Sequence, residues 1–341
     1  MSRERRVLIL AEGYSADPHY GKTLRGVLRY RRDDVVAILD SARAGETMDG
    51  VPIVASVNES LCFAPTVALV GVATQGGTFP PAWRELLKAC IRQGISIKNG
   101  LHEFVADDPE LVELASRFGA TLTDLRRPPE GLNVPTGANL ELPGRTVLTV
   151  GSDCAIGKMT VTLELEREAR GRGIAAVFVP TGQTGILIAG WGLAVDAVVA
   201  DFIAGAAERL VVEAVERGGE LLLVEGQGAI THPAYSGVTL GLLHGSAPHV
   251  LVLCHRAGDV EVEGYPGHPL LPLPELVELY QRVGLPARRP VVACVALNTA
   301  HLDEEGARAE IAKVARQTGL VADDPVRFGS ARLLDAILAV G

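Results

Sequence analysis

A chain of 341 residues, 48% hydrophobic and 21% charged, carries enough apolar material for two packed cores and reads as globular, not disordered. Its formal net charge of -9, with no basic stripe interleaved with aromatics, argues against nucleic acid as a partner. The five cysteines, Cys62, Cys90, Cys154, Cys254 and Cys294, form no C-x-x-C pair, which argues against a disulfide framework or structural zinc and for reduced thiols.

The opening Met1-Ser-Arg-Glu-Arg-Arg runs straight into a strand-like Val7-Leu-Ile-Leu, too short and wrongly flanked for a leader or a membrane span. A cytoplasmic protein without membrane contact is expected. Up to about residue 125, strand-like runs at 7–11, 35–39, 67–72, 95–97 and 121–125 alternate with helical patterns at 23–30, 81–93 and 109–118. That alternation predicts a parallel sheet covered on both faces, a Rossmann-like α/β domain over 1–125. The first strand leads into Glu12-Gly-Tyr-Ser15, not G-x-G-x-x-G, so the shape is expected without dinucleotide chemistry. Two loops lie at strand ends. Thr74-Gln-Gly-Gly-Thr78 suits either substrate contact or a glycine turn, and His102 beside Glu103 reads as a cap or a packed side chain.

Proline and glycine crowd residues 126–144, which predicts an interdomain linker. A second α/β domain then spans 145–341. It opens on the β-branched run Thr146-Val-Leu-Thr-Val150, followed by Gly151-Ser-Asp-Cys-Ala-Ile-Gly-Lys-Met-Thr160 and a helical pattern ending at Gly171. Strand, glycine-bounded loop with Gly-Lys, and helix together make a phosphate site, because loop and helix N–H groups converge on an anion while the ammonium neutralises it. Ser152, Asp153, Cys154, Ala155, Ile156, Gly157, Lys158, Met159 and Thr160 are the candidate binding residues. The spacing departs from the usual P-loop: five residues separate the glycines, and Met159 stands between Lys158 and Thr160, leaving open whether Thr160 reaches a metal.

Beyond it, a strand near 174–179 ends in Pro180-Thr-Gly-Gln183-Thr-Gly185, a further short element covers 197–200, and a helix is expected over 201–217 with Asp201 as its N-cap. Leu221-Leu-Leu-Val224 reads as a buried strand with Glu225 at its end, where P-loop proteins place an acid on the magnesium; Asp196 and Asp201 compete for that role. His232, Tyr235 and Ser236 follow within a few residues, His232 with an ordinary pKa suited to a general base. Strands at 250–253 and 291–297 bring Arg256 and Asn298 to the same edge, Arg256 as a clamp for a carboxylate or phosphate. The proline-rich 265–274 reads as a connector or lid.

The phosphate loop, Pro180-Thr-Gly and Val224-Glu-Gly-Gln-Gly228 resemble the dethiobiotin synthetase branch of P-loop NTPase-like proteins, apart from Met159. Together with the segments 179–192, 195–206 and 224–244, they make the whole chain similar to a formerly uncharacterised family that includes the D-glutamate N-acetyltransferases. The resemblance implies transfer of acetyl from acetyl-CoA to the amino group of a D-amino acid, with Mg2+ as a helper. It places CoA phosphates on Lys158 and the loop N–H groups, Glu225 on magnesium or the amine, and proton abstraction on His232. Catalytic Glu225, His232 and Lys158, substrate-binding Gln183, Tyr235, Ser236 and Arg256, and metal-side Glu225 and Thr160 follow; a homo-oligomer is expected on general grounds. The competing expectations are an ATP- or GTP-dependent ligase-type enzyme and a nucleotide-binding regulatory module without chemistry.

Overall fold

The computed structural model describes residues 6–17 and 20–341; the opening residues 1–5, read above against a leader, lie outside these. Two compact units emerge, Met1–Arg127 with Ile186–Gly190, and Pro128–Gly185 with Trp191–Gly341.

In the first unit the elements run β1 (Val7–Leu10), α1 (Lys22–Arg31), β2 (Val35–Leu39), β3 (Thr47–Met48), β4 (Val51–Val54), α2 (Val57–Ser60), β5 (Val67–Val70), α3 (Trp83–Arg92), β6 (Ser96–Asn99), α4 (Pro109–Phe118) and β7 (Leu122–Asp124). The sheet order is β3-β4-β2-β1-β5-β6-β7, parallel except for the β3/β4 pair. The unbroken apolar runs of β1 and β5 fit strands covered on both faces: Leu8 and Leu10 enter one core cluster and Val7 and Ile9 the other. Beyond β1, the N–H groups of Gly13 (3.2 Å) and Ser15 (3.1 Å) donate to the Asp40 carboxylate at the end of β2. The donors with which a dinucleotide fold would hold a pyrophosphate are thus taken by the chain's own anion. The two glycine and histidine loops form one corner. His102 and Glu103 donate their N–H groups to Gly77 O, and the Glu103 carboxylate accepts from Phe79 N. Gly77 sits at φ +68, and a Cβ there would lie 2.4 Å from the His102 ring, so a close approach explains the glycine.

The second unit contains β8 (Arg145–Gly151), α5 (Lys158–Gly171), β9 (Ala176–Val179), the first residues of α6 (Gln183–Ala189), α7 (Ile203–Glu216), β10 (Leu221–Val224), α8 (Ser236–Ser246), β11 (Val250–Arg256), α9 (Leu273–Arg282), β12 (Val291–Asn298), α10 (Glu304–Thr318), β13 (Val321–Asp323) and α11 (Ala331–Ala339). Its sheet is parallel throughout, in the order β13-β12-β11-β8-β10-β9. Parallel strands put Gly151, Pro180, Glu225, Arg256 and Asn298 along one edge, the carboxyl edge where open sheets bind ligands.

Several expectations are corrected here. Residues 128–144 are not a free linker: the Glu208 carboxylate accepts from Thr136 N (2.6 Å) and Gly137 N (2.8 Å), and Asn139 Nδ2 donates to Gly245 O (2.7 Å), tying the strap to α7 and α8. Asp201 does not cap α7, whose N-cap is Phe202 with no side-chain cap bond. Residues 197–200 run from the end of one short 3-10 turn into the start of the next and form no strand. Ser236 begins α8. Glycine in a helix is costly, but here it allows close packing: Cβ atoms at Gly241 and Gly245 would lie 2.3 Å from Ile203 and 2.0 Å from the Ala204 carbonyl.

Candidate functional site

The strand β8 delivers a loop shaped by two left-handed residues, Ala155 at φ 54 and Gly157 at φ 109. Its base is tied down: Ser152 N donates to Cys254 O (3.0 Å), and Ser152 Oγ pairs with His255 Nδ1 (2.9 Å). Asp153 is sealed in, its carboxylate accepting from Cys154 N (2.6 Å) and, across the sequence, from Glu263 N (2.8 Å). Among the described residues, no acceptor within the chain faces the N–H groups of Ala155, Ile156 and Gly157. Those of Lys158, Met159 and Thr160 are the free donors of a first helical turn. Such a nest fits an anion. Lys158 is buried at its rim, its Nζ donating to Asp153 O (2.6 Å), and burial pulls its pKa below the ordinary lysine range.

Tyr280 anchors the cradle from α9. Its fully buried hydroxyl donates to Gly151 O (2.7 Å) and accepts from Ile230 N (3.0 Å), joining the start of the phosphate loop to the turn after Glu225. Tyr280→Phe leaves a buried carbonyl and N–H without their partner, so a loss of about 1–3 kcal/mol is expected, read by thermal or denaturant melting, with anion affinity falling alongside.

Glu225 stands at the end of β10, 6% exposed. Its Oε2 accepts from Thr181 N (3.0 Å) and Gly182 N (3.2 Å), and Thr181 Oγ1 donates to Glu225 O (2.7 Å). Gly182 and Gly185 make room for it: a Cβ at Gly185 would lie 2.3 Å from Oε2. Burial pushes the carboxyl up to about 7, helped by Asp196 and opposed by the two N–H donors and Lys158. Gln183, next along the same turn, is 7% exposed with its Oε1 buried and unpartnered.

His232 is also buried, and its Nδ1 accepts from Ala234 N (3.1 Å) and Tyr235 N (3.2 Å). A neutral ring so held carries its proton on Nε2, the atom that faces Asp153 Oδ1 at 3.8 Å. Burial lowers its pKa against the pull of Asp153, so the ring is kept neutral. This geometry makes His232 a hydrogen-bond donor toward the loop, and it corrects the expectation of a general base: the ring has no free lone pair to offer. Asp153, Cys154 and His232 bring their ligand atoms within 4.8 Å of one another, yet a ring nitrogen that bears the proton does not ligate.

The remaining predicted residues fall as follows. Tyr235 is half exposed and stacks on His232 at 4.7 Å, and Tyr265 meets the same ring edge-on at 5.1 Å. Ser236 is the first residue of α8. Arg256 is met by Asp259 (2.7 Å) and Glu263 (3.8 Å), so it buttresses the following loop and is not a free clamp. Asn298 Oδ1 caps Ala300 N (3.1 Å). Thr160 lies in the first turn of α5, with Met159 in the position after the lysine that usually carries the metal-side hydroxyl. Among the described residues, no trio of His, Cys and acidic atoms in mutual reach includes Glu225. Glu225 Oε2 is held by two backbone N–H groups, and a magnesium ion bound here would draw its remaining oxygens from phosphate and water. Tyr280 and the Glu263 N–H went unread in the sequence, since their partners lie up to 129 positions away.

Comparison with known proteins places this geometry. Residues 133–334 match a family profile described as a P-loop domain of unknown function, DUF1611_C, and residues 40–128 match its Rossmann-like companion DUF1611_N. The chain belongs to the DUF1611 family. This DUF1611 protein is 35% identical to a protein of Tritonibacter scottomollicae named D-glutamate N-acetyltransferase, over 97% of this chain and 98% of that one. A Pseudoalteromonas protein of the same name is 34% identical over 86% and 88% of the two chains. A DUF1611 crystal structure from Anabaena variabilis superposes with a TM-score of 0.92 at 42% identity, covering 98% of this chain and 99% of that one. Among the described residues, no helix is long and apolar enough to cross a membrane.

Proposed function

We propose that this DUF1611 protein is an N-acetyltransferase that moves the acetyl group of acetyl-CoA to the amino group of a D-amino acid such as D-glutamate. The observation that carries this reading is the near full-length similarity to two proteins named D-glutamate N-acetyltransferase. The site supplies parts the reaction needs. The nest of Ala155 to Thr160 with Lys158 suits the phosphates of a 3′-phosphorylated ADP carrier, and bound acetyl-CoA supplies the activated acyl carbon.

Glu225 is the residue in this site matched to taking a proton near neutral pH. It takes one proton of the acceptor's ammonium, the freed nitrogen forms its bond to the acetyl carbon, the carbon–sulfur bond breaks, and a second nitrogen proton leaves with the thiol. His232 keeps its proton and steadies Asp153 and the loop. Thiol release from acetyl-CoA, followed across D- and L-amino acids, tests the reading; amine-dependent release with acetylated D-glutamate is expected. Lys158→Ala should raise the KM for acetyl-CoA about 10–100-fold, because a buried cation facing a phosphate is lost. Mg2+-dependent ADP or GDP release without an acetylated amine would favour the ligase-type reading, and ligand binding without turnover the regulatory one.

A further inference from the structure

The turn 181–185 holds a polar atom that the fold does not satisfy. Gln183 is 7% exposed, and its Oε1 is closed to water with no hydrogen-bond partner in the protein. Buried side-chain acceptors are nearly always paired, and a stranded one is retained against a stability cost. Its neighbours are fully engaged: Thr181 N and Gly182 N bind the Glu225 carboxylate, and Gln227 Nε2 donates to Thr181 O. The stranded carbonyl therefore lies on the turn whose Thr181 and Gly182 N–H groups hold the buried Glu225 carboxylate from the end of β10, and it is an acceptor that calls for an N–H donor. A primary amine carries two or three such donors on one atom.

We propose that Gln183 is a positioning and specificity residue of the acceptor site, its Oε1 accepting a hydrogen bond from the amino group that Glu225 deprotonates. This rests on the acetyltransfer reading and names the group that distinguishes an amine acceptor from a hydroxy acid. A ligand with a hydroxyl in place of the amine offers one donor to two acceptors and leaves one of them stranded.

The test is Gln183→Leu, a substitution of similar size that removes the stranded oxygen. Its melting temperature is expected to equal or exceed that of the wild type, because no internal bond is lost, while the KM for D-glutamate rises about tenfold or more and the KM for acetyl-CoA stays within twofold. Gln183→Glu, which keeps an acceptor, should restore part of the affinity. Unchanged KM for D-glutamate, an equal rise for both substrates, or a melting temperature well below the wild type would overturn the inference while leaving acetyltransfer standing. If the wild type acetylates no amine, calorimetric binding of D-glutamate decides: binding lost in Gln183→Leu upholds the acceptor role, and binding unaffected by the substitution, or undetectable in the wild type, refutes it.

Discussion

Glu225→Gln is expected to lower kcat/KM for the amine about 10²–10⁴-fold without unfolding the protein, the range by which a positioned general base contributes. The glutamine oxygen can still accept from Thr181 N and Gly182 N, so the turn survives; only the proton acceptor is lost. Because the carboxyl titrates at about 7, wild-type activity should rise with pH through that value to a plateau, and the variant's residual rate should not follow this rise. Stability moves the opposite way. The native state holds this proton more tightly than the unfolded chain, whose carboxyl titrates at its ordinary 4.5. Above that pH the unfolded chain binds fewer protons, so stability falls between pH 4.5 and about 7 and the penalty is constant beyond, at most about 3 kcal/mol. Glutamine has no such titration. The melting temperature of Glu225→Gln relative to wild type should therefore climb between pH 5 and pH 8. A variant of full activity, or a flat difference across that range, would remove Glu225 from the proposed role.

The parts of this protein that rest on local physics are legible in its sequence, and those that rest on distant contacts are not. Alternating apolar runs and helical patterns give both parallel sheets, and the Gly-Lys loop between a β-branched run and a helix identifies the cradle, because those signals act within about twenty residues. Glu225 is also readable, as an acid ending an apolar run. The chemistry of His232 is not, since its tautomer depends on which backbone N–H groups reach Nδ1, a matter of turn geometry. Helix α8 is given no reading by its sequence, because the glycines Gly241 and Gly245 make sense only once the approach of Ile203 and Ala204 is known. Arg256 reads as a free cation only while Asp259 and Glu263 are not yet folded against it. The strap over 128–144 looks like a linker because proline and glycine describe backbone freedom, whereas Glu208 supplies the fixed acceptors.

Gly226→Ala should be the most damaging small change in the second unit. Gly226 N donates to Thr149 Oγ1 (2.9 Å), and a Cβ there would lie 1.7 Å from Thr149 O, inside a strand that cannot move without its neighbours. The clash is with backbone on the central strand β8, so no rotamer change relieves it. Either β10 shifts away, carrying Glu225 off Thr181 and Gly182, or β8 shifts and takes the phosphate loop with it. A loss of about 3 kcal/mol or more is expected, with a fall of several degrees in melting temperature and loss of activity in whatever remains folded. Gly237→Ala is the matched control. A Cβ there meets nothing within 4 Å, and alanine at the second residue of α8 is a better helix former, so stability should hold or rise by up to about 1 kcal/mol. The pair separates sterics from composition: both replace glycine by alanine near the site, and only the one pressed against Thr149 should fail. Equal melting temperatures for the two variants would show that the end of β10 is not held against β8 as tightly as these distances require.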